Sequence, residues 1–479
     1  MNVVVTSIVV VYMLLMLAIG YYSSKKITSN TDFMVAGRRL GPFLMAGTLA
    51  ATEIGGGSSL GVVANAYGNW GLSAAWYIIA MGIAFIILIF LAPKFRATEV
   101  KTVPEFFRRR YNKASGAFSG IIMMIALVGL TAGQFKASAS VLEVMLGLDY
   151  STALIIVTVV ITVYAVMGGL WSVTLTDFVQ VFLIVIGMII AVPFALNLAG
   201  GWSAVVANVP AEHLSLTAGI GGWGEILGYV VMYLATFTVG QEAVSRYYAA
   251  RDGKAAVQGS ILAAIINFIF AFVPVVLGLT MLALFNMGKL DASVVDTLAN
   301  NSRYALPQLA ISTMPAIVVG ILFAGIVSAT MSSADSDLLG AGSIFANDIY
   351  KIFLKKDATS KQVMTVTKIT MVVIGVFSCV TALIADNIIT LLAFSFTLRA
   401  AGTFFPYVLG HFWKKSSPAG CVASLILGSI AFYCLDKDYI NIPGINDIIP
   451  ALVVSLIAFV VFSLIFPPKE EGLELAPEA

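Results

Sequence analysis

Nine residues carry the densest polar chemistry in this chain: Ser328-Ala329-Thr330-Met331-Ser332-Ser333-Ala334-Asp335-Ser336, set inside a long apolar stretch. Hydroxyls at 332, 333 and 336 and a carboxylate at 335 fall within about one and a half helical turns. Hard cations take oxygen ligands rather than nitrogen or sulfur. Hydroxyls and free carbonyls suit a monovalent ion that must also leave, whereas several carboxylates suit a divalent one. The bland alternative is serine bonding back to carbonyls of its own helix.

A second run, Leu49-Ala50-Ala51-Thr52-Glu53-Ile54-Gly55-Gly56-Gly57-Ser58-Ser59, places a carboxylate beside three glycines. Each glycine weakens a helix by roughly 1 kcal/mol relative to alanine. A break there frees backbone carbonyls, which membrane depth tolerates only inside protein or beside a cavity. Close helix packing through small residues is the competing reading. Asp177, in Thr174-Leu175-Thr176-Asp177, either caps a helix or serves an ion or the bundle interior. Glu242 either contacts a solute or pairs with Arg246 one turn later. Lys136 and Arg399 either snorkel or act as internal counter-ions.

The chemistry of a soluble enzyme is absent. The Gly55–Ser59 run lacks the lysine of a phosphate loop. Cys379, Cys421 and Cys434 lie singly with no metal or disulfide spacing, and His213 and His411 show no zinc-ligand pattern. No metalloprotease motif, no paired aspartates at a known spacing and no serine–histidine pair is found.

The elements that must position these residues are membrane helices. The chain of 479 residues is 59% apolar and 11% charged, with net charge +2, which gives no electrostatic case for nucleic acid. A helical span needs about 20 consecutive apolar residues. Thirteen segments qualify: 2–22, 42–66, 71–92, 117–145, 150–168, 171–198, 225–249, 255–285, 305–346, 363–385, 387–411, 418–435 and 448–467. The first lacks a cleavage site and reads as a retained helix. With the N-terminus outside, the inner side collects Lys25, Lys26, Arg38, Arg39, Lys94, Arg96, Lys101, Arg108, Arg109, Arg110 and Lys113. It also holds Arg246, Arg251, Lys254, Lys351, Lys355, Lys356, Lys361, Lys414, Lys415 and Lys469, leaving Lys289, Arg303 and Lys437 outside. That bias predicts N-out, C-in.

Taken in order, these motifs resemble the sodium:solute symporter family over nearly the whole chain. They are Gly37-Arg38-Arg39-Leu40-Gly41-Pro42-Phe43, Thr102-Val103-Pro104-Glu105-Phe106 with Arg110-Tyr111, and Met167-Gly168-Gly169-Leu170-Trp171-Ser172-Val173 with Thr176-Asp177-Phe178-Val179-Gln180. The last is Ala329–Ser336 with Asp348-Ile349-Tyr350. The stretches 171–195 and 325–350 look most like the high-affinity choline branch. Glu53 and Gly240 stand where that branch has tryptophans of its aromatic cage. The proline-carrying branch resembles this chain in a carboxylate at the Glu53 position.

The resemblance implies an all-α, LeuT-type transporter in a single domain. It would have a leading helix (2–22), inverted repeats over 42–198 and 225–411, two trailing helices (418–467) and a cytoplasmic tail (468–479). It implies a shared sodium site at the carbonyls of Ala51, Ile54 and Ala329 and the hydroxyls of Ser332 and Ser333. A second sodium would match Asp177, Ser332, Asp335 and Ser336, so one or two ions are expected. The solute is expected near Glu53, Gly55, Gly56, Tyr77, Gln134, Gln241 and Glu242. An amine, zwitterion or amino-acid-like solute ranks first. A carboxylate or sugar-like solute, or a sodium-independent uniporter or channel, is the alternative. The expected partners are the solute and the lipid bilayer, with no obligate protein partner evident.

Overall fold

The computed structural model describes residues 3–25 and 30–468. Lys26, Lys469 and the expected tail beyond Pro468 lie outside the described residues. Every expected apolar segment coils into helix, because backbone groups in lipid must be satisfied within the segment. The long elements are α1 (Val3–Ser24), α2 (Pro42–Glu53), α3 (Val62–Tyr67), α4 (Ala75–Leu88), α5 (Lys113–Leu146) and α6 (Tyr150–Ala199). They continue as α7 (Trp223–Val239), α8 (Gln241–Ala249), α9 (Gly253–Phe270), α10 (Phe272–Asn286), α11 (Ala305–Thr313) and α12 (Ala316–Ile344). The last are α13 (Ser360–Ile384), α14 (Ile388–Gly410), α15 (Pro418–Asp436) and α16 (Ile448–Ile465). Among the described residues, ten helical runs are long and apolar enough to cross a bilayer, or eleven with the bent pair α7/α8.

Two further expected spans, 2–22 and 42–66, are not among these runs. The described apolar part of α1 covers Val3–Ile19, and segment 42–66 is interrupted between α2 and α3. The segments 150–168 and 171–198 remain two spans, Tyr150–Met167 and Val173–Ala199, of one helical run, α6, which turns at Gly169 with φ 55° and ψ −176°, a conformation natural only to glycine. The expected span 305–346 begins later than its apolarity suggests. Met314 is extended before Pro315, so α11 ends and α12 starts at Ala316.

α12 is the axis of the bundle. Every residue from Leu322 to Ile344 is buried, against α6, α5, α1 and α13, with α2 and α8 crossing it. A helix enclosed on all sides can hold polar side chains only if its neighbours meet them. The broken helices meet at one end, where Leu40 N donates to Ala249 O (3.0 Å) and Arg251 N to Leu40 O (2.9 Å).

Candidate functional site

The break after α2 is built by hydrogen bonds that leave the helical pattern. Ile54 departs from helix at φ −81°, ψ 73°. Gly55 N turns back to Glu53 O (3.0 Å), and Gly56 N goes to Gln134 Oε1 on α5 (2.7 Å). The carbonyls of Ala51 and Thr52 thereby lose the amides that an unbroken helix would supply. Thr52 O accepts the Ser333 hydroxyl of α12 instead (2.8 Å), and that hydroxyl also reaches Ala329 O (3.2 Å). The glycines are demanded by this approach. A Cβ on Gly55 would stand 2.5 Å from Ser333 Oγ, and one on Gly56 2.4 Å from Ala137 Cβ.

A second knot joins α6, α2, α8 and α12. Asp177 accepts from Ser332 Oγ (2.5 Å), from Thr48 Oγ1 and from Arg246 Nη2 (3.2 Å). Arg246 also donates to Ser336 Oγ (2.6 Å) and to the Glu242 carbonyl (2.6 Å). Asp335 lies at its edge. Its Oδ1 is 3.3 Å from Ser336 Oγ, and its buried Oδ2 has no hydrogen-bond partner.

The third group surrounds Gly240, where α7 and α8 meet at 55°. Arg399 of α14 grips the Glu242 carboxylate with both Nη atoms, Nη1 at 2.7 Å. Its Nε donates to Thr236 Oγ1 (2.5 Å). A side chain on Gly240 would collide with that pair, at 2.6 Å from each partner. Glu53 is 7% exposed and its Oε1 is unpartnered. Its electrostatic neighbours are Glu242, Arg399 and Arg246.

A cavity of about 340 Å³ at one end of the bundle is lined by Trp70, Tyr229, Thr390, Thr397 and Asn446. Tyr229 packs edge-on against Tyr77 (5.8 Å), and Tyr77 Oη lies 2.7 Å from where a Gly57 Cβ would be. The opposite end is closed by aromatic packing. Tyr248 and Tyr407 share a hydrogen bond (2.8 Å), and Phe106 stacks on His411 (4.4 Å) with Tyr407 beside both.

Residues 33–428 match the sequence model of the sodium:solute symporter family. The chain belongs to that family. The osmoregulated proline transporter OpuE of Bacillus subtilis is 26% identical, over 95% of this chain and 93% of that protein. The sodium/pantothenate symporter of Haemophilus influenzae is 29% identical over 90% and 89%, and a sodium/proline symporter of Staphylococcus aureus 27% over 95% and 91%. A Na+-coupled sialic acid symporter, solved substrate-bound and outward-open, superposes with TM-score 0.83 at 21% identity, covering 98% and 99%. A nucleobase-cation-symport-1 transporter in a closed conformation gives 0.56 at 13%, covering 92% and 96%. These two likenesses establish the LeuT-type fold. This family member is a multi-pass cell-membrane protein that couples sodium to the symport of a small solute, and it is not an enzyme. The relatives named here carry proline and pantothenate, so they do not speak for the choline-branch likeness.

Of the residues singled out in the sequence, the fold gathers Ala51, Glu53, Ile54, Gly55, Gly56, Gln134, Ala329 and Ser333 around the α2 break. It gathers Asp177, Ser332, Asp335 and Ser336 around Arg246. Tyr77 abuts the glycine run. Gln241 turns away, its amide taken by Val103 N (2.8 Å) and Lys101 O (3.1 Å). Of the two readings of Glu242, the side-chain pair with Arg246 does not form, because Arg399 takes the Glu242 carboxylate and Arg246 takes Asp177. Asp177 caps nothing, since it lies well inside α6. Lys136 reaches Ala385 O (2.5 Å), at the end of α13. Sequence reasoning missed Thr48 and Asp337. Asp337 is one residue past the serine run and one helical turn from Ser333, so extending that stripe by a turn would have found it.

Proposed function

We propose that sodium binds where Ser332 and Ser333 face the loosened backbone of α2, and that this contact makes solute capture sodium-dependent. The carbonyls of Ala51, Ile54 and Ala329 complete an all-oxygen set suited to a hard monovalent ion. The observation that carries this reading is the Ser333–Thr52 bond, which already ties the buried axis α12 to the broken helix. An ion there would strengthen the same tie and hold the cavity wall in shape. Asp177, Ser332, Asp335 and Ser336 form the second oxygen set, across which Arg246 now lies.

The solute sits at the level of the two breaks, against Glu53, Gly55, Gly56, Tyr77 and Gln134, with Glu242 held in place by Arg399. An unpaired buried carboxylate beside aromatic rings favours a solute with a basic nitrogen, an amine or zwitterion. With thirteen spans, the N-terminus outside and repeats over 42–198 and 225–411, the cavity beside Trp70 and Tyr229 opens outward. The Tyr248–Tyr407 packing then closes the inside, and alternating access exchanges the two. One sodium, falling through 100 mV and a tenfold gradient, releases about 3.7 kcal/mol, enough for roughly 500-fold accumulation of a neutral solute.

Uptake by proteoliposomes tests this. Accumulation is expected to need external sodium, and Ser332→Ala with Ser333→Ala to raise the sodium concentration for half-maximal uptake by about tenfold or more. Equal uptake in potassium medium, or an unmoved sodium requirement in the double variant, refutes it.

A further inference from the structure

Asp337 has no role in the site drawn so far, yet it is placed to face the solute. Ser333, Asp337 and Gly340 form one stripe of α12, spaced by four and three residues. Ser333 touches Thr52, next to Glu53. A Cβ on Gly340 would meet Gln241 Cγ at 3.3 Å, next to Glu242. Asp337 therefore stands between the two broken helices, at a height between the two acids. It is 3% exposed, no hydrogen bond reaches it among the described residues, and its electrostatic neighbours are Glu242, Arg399, Glu53 and Arg246.

The charges divide into two groups. Around Arg246 stand two carboxyl groups, Asp177 and Asp335, one more than its guanidinium pairs with. Around Arg399 stand three carboxyl groups, Glu242, Glu53 and Asp337, two more than its guanidinium pairs with, and Arg246 is the more distant neighbour of the last two. All these side chains are more than nine-tenths buried, and isolated buried carboxylates persist only with a counter-charge. One sodium at Ser332 and Ser333 balances the first group, since Arg246 already spans the second oxygen set. The second group calls for two positive charges from the solute. Its apolar wall suits a short alkyl spacer, because Tyr77, Tyr233 and Phe396 pack in series at 5.4 and 5.6 Å, with Arg399 over the Phe396 ring at 5.2 Å.

We propose that Glu53 and Asp337 together recognise a dicationic solute, a short alkyl diamine, carried with a single sodium ion. This rests on the reading that the solute binds at the two breaks.

The test uses the full chain in proteoliposomes, with butane-1,4-diamine, n-butylamine, L-proline and D-pantothenate as labelled solutes, and with sodium co-uptake and solute-evoked current recorded together. The expected result is uptake of the diamine in preference to the monoamine, with one sodium and three charges per molecule. Asp337→Asn should raise the diamine KM by roughly 30-fold or more, as loss of a buried charge partner does. It should also erase the preference over butylamine and leave the sodium half-saturation unchanged. A merely structural Asp337 would not move that preference. Because the amide keeps the shape of an unpartnered buried carboxyl, the variant should unfold at the same or a higher temperature. Asp337→Ser repeats the test with a smaller side chain. Sodium-driven uptake of proline or pantothenate, with no diamine uptake and no effect of either variant on KM, would overturn this inference while leaving sodium symport standing. Uptake of any of the four that ignores sodium would overturn the underlying reading instead.

Discussion

Lys136 and Asp337 are both ionisable residues inside membrane helices, and their surroundings differ in a way that separates structure from function. Lys136 gives its ammonium to Ala385 O at the end of α13 and lies over the Tyr150 ring at 5.1 Å. Its neighbours are settled too, with Arg303 over Tyr150 (4.3 Å) and 3.5 Å from Glu143, and Tyr304 bonded to Glu143 (2.6 Å). That cluster ties helix ends together and leaves its charges answered. Among the described residues no hydrogen bond reaches the Asp337 or Glu53 carboxyl, and both share Arg399 with Glu242, with Arg246 a further neighbour. Charge within the membrane is common to both places. An unpartnered buried carboxyl is found at the second, and in the proposal made above the cargo supplies its partner.

The comparison breaks most visibly where a settled group is cut. Asp177→Ala strands Arg246 in the core, and the expected loss is about 3–5 kcal/mol of stability, read as a large drop in thermal midpoint. Little change would mean that Arg246 is not buried as described. Gly56→Ala is next. Its methyl would overlap Ala137, and overpacking of this kind costs about 1–3 kcal/mol, seen as lower thermal stability and reduced uptake. Lys136→Met loses one charge-assisted hydrogen bond, about 1.5–3 kcal/mol at most, and should leave the solute KM and sodium half-saturation untouched. A shift in either constant would place Lys136 in the transport path.

His411 sharpens the contrast from the other side. Burial and the charges of Lys94 and Arg110 push its imidazole down to about 3, so it is neutral in the folded protein. The unfolded chain takes up that proton near pH 6.5. Below that pH the unfolded state binds more protons, so stability falls as pH drops, by about 1 kcal/mol between pH 7 and 5.5. His411→Gln should remove that part of the pH dependence. A buried group can thus lack a partner without a function, provided it carries no charge.

Much of this was legible in the sequence, because membrane helices declare themselves by apolar length and because oxygen-rich runs such as 328–336 are rare in lipid. The α2 break followed from three adjacent glycines. What stayed hidden was pairing between distant segments. Whether Arg246 meets Glu242 or Asp177 depends on how α8 lies against α6, and Arg399 finds Glu242 across 157 residues. The turn of Gln241 toward Lys101 and Val103 has the same origin, since either face of α8 is equally polar on paper. The Ala316 start of α12 was obscured by a proline that apolarity averages do not register.

Thermodynamic linkage gives the most direct measurement of the central claim, that oxygen ligands on α12 and the broken α2 make solute capture depend on sodium. The dissociation constant of whichever panel solute is accumulated should be measured on purified protein with and without sodium, and that of sodium with and without the solute. The account predicts that each tightens the other by the same factor, and that Ser332→Ala with Ser333→Ala abolishes both changes. A solute constant identical in sodium and in potassium would contradict it.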